Sequence, residues 1–273
     1  MNDRARLALS SVLQAAVWLA RGAALLLIIA PLLVVLLVSI NPSGITPSLT
    51  NGFTLKWFAN ALTVPELRSG LLASLRIALL AMPLSLLIGT AAAYGLWRYR
   101  PIPVTTAQAV LSLPILVPLV VTGLALLSSF SRIGLYSGFW SIALAHLVLA
   151  FPFTVRFVLN SLVRYDTRLD EAAQSLGAPP LRVFSQVTLP LLRPALFASA
   201  LFSFVVSFDD FGVAIFLIDA KTVTLPVAMY QYFEWNVDPT LAALSAMLVI
   251  FAFVAAFACE KTIGLERFVG VQH

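Results

Sequence analysis

Long uncharged apolar runs separated by short polar intervals organise the chain. The runs Gly22–Ile40, Ile77–Trp97, Val104–Ser129, Gly138–Val155, Pro194–Phe208 and Leu241–Cys259 contain no Asp, Glu, Lys or Arg, and His146 is the one interruption of the fourth. About 18 or more residues of this kind suffice to cross a hydrocarbon core of roughly 30 Å. The fifth run falls short by itself and reaches spanning length by extending back through Leu191 and onward past Asp209 and Asp210. In lipid every backbone amide must be paired within its own element, so these runs predict helices; a membrane barrel would show alternation instead. The expected fold is an all-α polytopic membrane protein with one transmembrane domain over residues 1–273. Its six helices fall at about 22–40, 71–97, 104–129, 138–158, 191–218 and 241–259.

The polar intervals differ in character. Residues 41–70 are rich in Pro, Ser, Thr and Gly and read as part loop, part surface helix. RYRPIP at 98–103 is a short basic turn that makes a hairpin of the second and third helices, and SRIGLYSG is a short link on the opposite side. The interval 156–193 is the longest and holds DEAAQSLGAPPLRV at 170–183. Asp170 and Glu171 suit the positive end of a helix dipole, Gly177 suits a helix C-terminus, and Pro179 and Pro180 suit the first turn of a second short helix. Leu181, Phe184, Val187 and Thr188 then share one face. Two readings of this helix–turn–helix stand at this point: an amphipathic segment lying on the bilayer, or a projection that enters a groove on a partner.

Charge adds orientation. Only 11% of residues are charged, and the net charge is +5. With the N-terminus in the cytoplasm, that side carries Arg4, Arg6, Arg21, Arg98, Arg100, Arg156, Arg164, Arg168, Arg182, Arg193, Lys261 and Arg267. The other side carries Lys56, Arg68, Arg76, Arg132 and Lys221, and this asymmetry predicts both termini inside. The basic excess is thus a topology signal, and no basic cluster on a soluble face points to nucleic acid. The first run is too long for a signal sequence and lacks a small-residue cleavage pattern, so it is expected to be retained. Cys259 is expected to be a small buried apolar residue, and a single cysteine excludes a disulfide within the chain.

No catalytic constellation emerges. There is no GxxxxGK[ST] phosphate loop, so the chain is not expected to hydrolyse ATP itself. His146 and His273 are the only histidines and are not ligand-spaced; His146 is expected to cap or pack within the fourth helix, and Ser128 and Ser129 to serve helix packing. The informative acids are Asp209 and Asp210, which sit between apolar stretches and are costly near membrane depth unless paired or wetted. From Asp209 to Asp238 there are five acids against Lys221, with Phe208, Phe211, Tyr230, Tyr232, Phe233 and Trp235 interleaved. Carboxylates beside aromatic faces suit a small organic cation. Two other readings remain: the aromatics as interfacial anchors, and the acids as an ion pair with a partner subunit.

The spacing Glu171-Ala172-Ala173, Gly177, then nine residues and VTLP at 187–190 resembles the EAA loop of membrane subunits of binding-protein-dependent ABC importers. Val187 departs mildly from the isoleucine usual there. GFTLKWF at 52–58, LWRYR at 96–100, GFWSIALAHLVLAFPF at 138–153 and SFDDFGVAIF at 207–216 extend the similarity to the spermidine/putrescine permease branch. The resemblance implies a multi-pass protein of the bacterial inner membrane, with a cytoplasmic ATPase dimer that hydrolyses ATP with Mg, a second homologous permease and an external substrate-binding protein. It further implies that the loop at 164–190 couples to the ATPase through Glu171, Ala172, Ala173, Gly177, Leu189 and Pro190, and that the pair Asp209 and Asp210 lies on a polyamine path, where the neighbouring Phe208 and Phe211 are expected to add aromatic faces. Related branches carry aminophosphonates or opine-like compounds. A secondary transporter or channel, which would need no such loop, is the reading outside this class.

Overall fold

The computed structural model describes residues 3–45, 52–99 and 102–263. Arg100, Arg267 and His273 lie outside these residues, as do the side chains of Arg4, Arg6, Cys259 and Lys261. Among the described residues the regular elements are all helical. The chain divides into two compact units, residues 1–64 with 233–273, and residues 65–232.

In the first unit α1 (Asp3–Ser39) is a long helix whose apolar side chains from Val17 to Ile29 are exposed, as a lipid-facing helix requires. It ends in a turn closed by Asn41, whose side chain donates to Gly44 O (2.8 Å) and accepts from Ser43 N (3.2 Å). The short α2 (Lys56–Thr63) is the surface helix expected between the first two spans. Trp57 Nε1 donates to Asn41 O at 2.8 Å, and Asn60 Nδ2 donates to Thr240 Oγ1 at 2.8 Å. The second of these bonds pins α2 to the start of the last helix (Thr240–Ile263).

The second unit is built on α3 (Pro65–Tyr99), which at about 1.5 Å per residue is longer than a bilayer core is thick. Its buried positions include Gly70, Ser74, Ala78, Ala81, Ser85, Gly89 and Ala93, a stripe of small residues at steps of three and four. Apolar solvent supplies no hydrophobic drive between helices in a membrane, so association depends on close packing, and such a stripe permits it. A Cβ on Gly89 would lie 2.7 Å from Thr154 Cγ2, and one on Gly70 3.0 Å from Ala228 Cβ.

Where the sequence predicts one helix over 104–129, the chain forms α4 (Val104–Leu116) and α5 (Leu119–Arg132), bent by 92°. Proline is the cause. Pro118 has no N–H for the ladder and drives Val117 out of the helical region, to φ −78 and ψ 132. α6 (Phe139–Val163) continues past the expected end at 158. After it come α7 (Arg168–Ser175), α8 (Pro180–Val183), a π turn at Phe184–Thr188 and α9 (Leu189–Leu191).

The predicted span 191–218 is also divided. A 69° bend separates Pro180–Leu191 from α10 (Arg193–Phe208), and a non-helical corner follows before α11 (Ala214–Leu217). α3, α6 and α10 pack mutually as the core of this unit. α12 (Leu225–Trp235) and α13 (Thr240–Ile263) complete the chain. Among the described residues three helices are long and apolar enough to cross a membrane; the two bent pairs and the apolar stretch Thr240–Val254 correspond to the remaining predicted spans.

Candidate functional site

Two regions hold the residues singled out by sequence. The first is the loop between α6 and α10. Asp166 accepts from Arg168 N (3.0 Å), Nε (2.9 Å) and Nη2 (2.7 Å), which starts α7 and holds the Asp166 carboxyl below the usual carboxylate range. Asp170 is turned inward and buried; its Oδ1 accepts from Tyr165 Oη (2.5 Å) and Thr188 Oγ1 (3.2 Å). One carboxylate therefore ties the entry to α7, α7 itself and the π turn together. Burial, then the bond to Asp170, pushes the Tyr165 hydroxyl up to about 12.

Gly177 ends α7 as predicted, at φ +85. Gly177 N bonds Gln174 O (2.9 Å) and Ala178 N bonds Ala173 O (3.1 Å), the paired closure of a Schellman motif. Open space surrounds the position a Cβ would occupy, so the demand for glycine is conformational. Pro180 opens α8 at its first position, again as expected.

The apolar face differs from the predicted one. Phe184 and Val187 are half-buried and Thr188 is buried, but Leu181 is 79% exposed; Leu176, which lies outside that face at the end of α7, is 90% exposed. The π turn is the reason: i to i+5 spacing rotates the residues after Val183 relative to an α-helical register. Glu171 and Ala172 are exposed, while Ala173, Leu189 and Pro190 are half-buried. The loop is anchored inward by aromatic edges, Phe184 on Tyr94 (4.8 Å) and Tyr165 on Trp97 (5.7 Å), both at the end of α3.

The second region is the corner after α10. The adjacent acids Asp209 and Asp210 have different environments. Asp209 is exposed and closes α10, its N–H bonding Val205 O at 3.0 Å. Asp210 is buried, and its Oδ2 accepts from Ala214 N (2.8 Å) and Val213 N (3.2 Å), which caps α11. Phe208 stacks on Phe204 (5.6 Å), and Phe211 lies against Tyr230 (5.2 Å).

Asp219 accepts from Thr222 N (2.6 Å) and Lys221 N (3.0 Å) as part of a turn. Asp238, in the first unit, accepts from Thr240 N (2.8 Å) at the start of α13. Several of the acids counted as one charged set thus have local backbone duties.

His146 is fully buried in α6 and faces this corner, with Nδ1 2.9 Å from Ser207 Oγ and Nε2 3.3 Å from Asp210 Oδ2. Among the described residues no group of three His, Cys, Asp or Glu could hold a metal. Below the corner, Ser85, Thr154 and Ser203 join α3, α6 and α10 through buried hydroxyls at 2.8 and 3.2 Å. Sequence reasoning missed this polar seam. Its signal was the four-residue recurrence of Ser199, Ser203 and Ser207 in an apolar run.

The family model described as binding-protein-dependent transport system inner membrane component matches residues 81–259. The spermidine/putrescine transport system permease protein PotC of Escherichia coli (strain K12) is 31% identical over 232 residues, covering 84% of this chain and 87% of that one. The putrescine transport system permease protein PotI of the same strain is 30% identical, covering 81% and 80%. The putative 2-aminoethylphosphonate transport system permease protein PhnV of Salmonella paratyphi A (strain ATCC 9150 / SARB42) is 33% identical, covering 85% and 87%. Among solved structures, a chain of a bacterial ABC transporter involved in import of the acidic polysaccharide alginate shares the fold with TM-score 0.74 at 15% identity, covering 96% and 98%. A chain of the inward-facing MetNI methionine ABC transporter does so with TM-score 0.59 at 23% identity, covering 73% and 95%.

Proposed function

This chain belongs to the binding-protein-dependent transport system inner membrane component family, and from that premise we propose that it is the permease subunit of an ATP-driven importer of a small polyamine cation. The observation that carries the cargo reading is Asp209, an exposed acid at a helix break between Phe208 and Phe211, in a chain whose relatives include polyamine permeases. A carboxylate left unpaired by its own backbone, with aromatic faces close in sequence, suits an ammonium group. Asp210, committed to capping α11, supports this site from behind.

The loop at 164–190 is the coupling element in this reading. Its exposed Leu176 and Leu181, beside Glu171 and Ala172, form the surface offered to an ATPase dimer in the cytoplasm. Ala173, Leu189 and Pro190 support it from within, and Gly177 sets its turn. ATP and Mg are bound and hydrolysed by those partners, a second homologous permease completes the channel as a heterodimer, and a substrate-binding protein delivers cargo from outside. Both termini face the cytoplasm in this reading, which the arginine and lysine distribution supports. ATP binds the closed ATPase dimer better than the open one, and that differential affinity shifts the bundle between its two faces.

A second reading, an aminophosphonate cargo, is favoured by the similarity to PhnV. Uptake of labelled putrescine and spermidine by cells with and without this subunit decides between them, with unlabelled amines and 2-aminoethylphosphonate as competitors. Loss of saturable polyamine uptake on deletion, restored by the intact chain and not by Asp209→Asn, supports the polyamine. Unchanged polyamine uptake in cells lacking redundant systems refutes it.

A further inference from the structure

α10 places Ser199, Ser203 and Ser207 on one buried face, and α6 sets Thr154 and His146 opposite. The Ser203–Thr154–Ser85 rung is made of hydroxyls alone, which donate and accept among themselves. The next rung is different in kind: an imidazole with no exposure to solvent, between a serine and a buried carboxylate. A buried imidazole nitrogen left without a partner carries a desolvation cost. Ser207 serves Nδ1, and Asp210 is the group facing Nε2, at 3.3 Å and without an aligned hydrogen bond.

Of the two tautomers of the neutral ring, the one with Nε2–H turns a donor toward Oδ2 and leaves Nδ1 to accept from Ser207. The same Oδ2 accepts from the backbone of α11. One oxygen therefore links α6 to the chain segment that follows α10. That segment begins at Asp209, whose neighbour Asp210 is held inward by these bonds. A slip of one residue at this corner would bury Asp209 and expose Asp210.

We infer that His146 is a positioning residue: through Nε2 it holds Asp210 inward and so fixes the direction in which the corner presents Asp209. Its importance for transport rests on the reading of Asp209 given above, but the positioning itself does not. Its test therefore reads the corner without using cargo. In the assembled transporter in native membranes, Cys259 is replaced by Ala and Asp209 by Cys, and the labelling rate at 209 is measured with a membrane-impermeant thiol reagent.

Gln at 146 sets its amide where Nε2 lies, whereas Asn reaches only the Nδ1 position and Leu offers no donor. His146→Gln is expected to keep the rate. His146→Asn and His146→Leu, which leave Asp210 Oδ2 without the Nε2 contact, are expected to lower it several-fold. Equal rates for Gln and Asn overturn the inference, and this comparison decides even if the Leu variant does not accumulate. If the labelling pattern holds while Asp209→Asn leaves uptake at the wild-type level, the positioning role stands and the cargo-path reading falls.

Discussion

Replacing Asp170 by alanine is expected to loosen the loop at 164–190 while leaving the membrane helices folded. The side chain is buried and binds two hydroxyls, Tyr165 Oη at 2.5 Å and Thr188 Oγ1 at 3.2 Å. Thr188 is fully buried, so its orphaned hydroxyl costs about 1–3 kcal/mol. Tyr165 is half-exposed and can turn to water, so its loss is nearer the net value of one bond, about 1 kcal/mol. Together these amount to about 2–4 kcal/mol, or roughly 30- to 1000-fold in the population of the open loop. Asp170→Asn retains an acceptor oxygen and is expected to cost about 1 kcal/mol or less.

The assay is limited proteolysis of the loop in the intact assembly, which follows local opening, alongside cargo-stimulated ATP hydrolysis. The order expected is wild type, then Asn, then Ala, in rising susceptibility and falling stimulation. Alanine behaving as wild type in proteolysis, or asparagine proving as damaging as alanine, refutes the account of Asp170 as the pin.

Gly89→Val is expected to reduce membrane abundance strongly. Its first carbon already lies 2.7 Å from Thr154, and overpacking costs about 1–3 kcal/mol before the Ser85–Thr154 bond is counted; normal abundance by quantitative blotting would contradict this. Gly177→Ala keeps the space but must hold φ +85, so it is expected to cost about 1 kcal/mol in loop order, with Gly177→Asn less damaging in the same proteolysis assay. Asp209→Asn is expected to raise the KM for cationic cargo with assembly unchanged, read by uptake and co-purification. Tyr165 favours its protonated form in the folded loop, so that contribution is complete below pH 10 and lost as pH rises through about 12. A Tyr165→Phe variant should lose this alkaline transition in a proteolysis profile taken across that window.

Apolar run length determined the class of this protein before any packing was known. A span must be long and uncharged to cross lipid, and that condition is local. The turn at Gly177 and the helix start at Pro180 were equally legible, because backbone restriction belongs to the residue itself. The break at Val117 was encoded by Pro118 but concealed by unbroken apolarity, which reports environment and not helix continuity.

Only tertiary structure separated the two neighbouring acids, leaving Asp209 exposed and turning Asp210 onto α11 and His146. α6 must pack against α10 and the corner that follows it before His146, Ser207 and Asp210 meet. The same holds for Asp170, whose partners are 5 and 18 residues away on different elements. Burial and pairing of a polar group depend on what the rest of the chain brings to it, and so they are decided by packing.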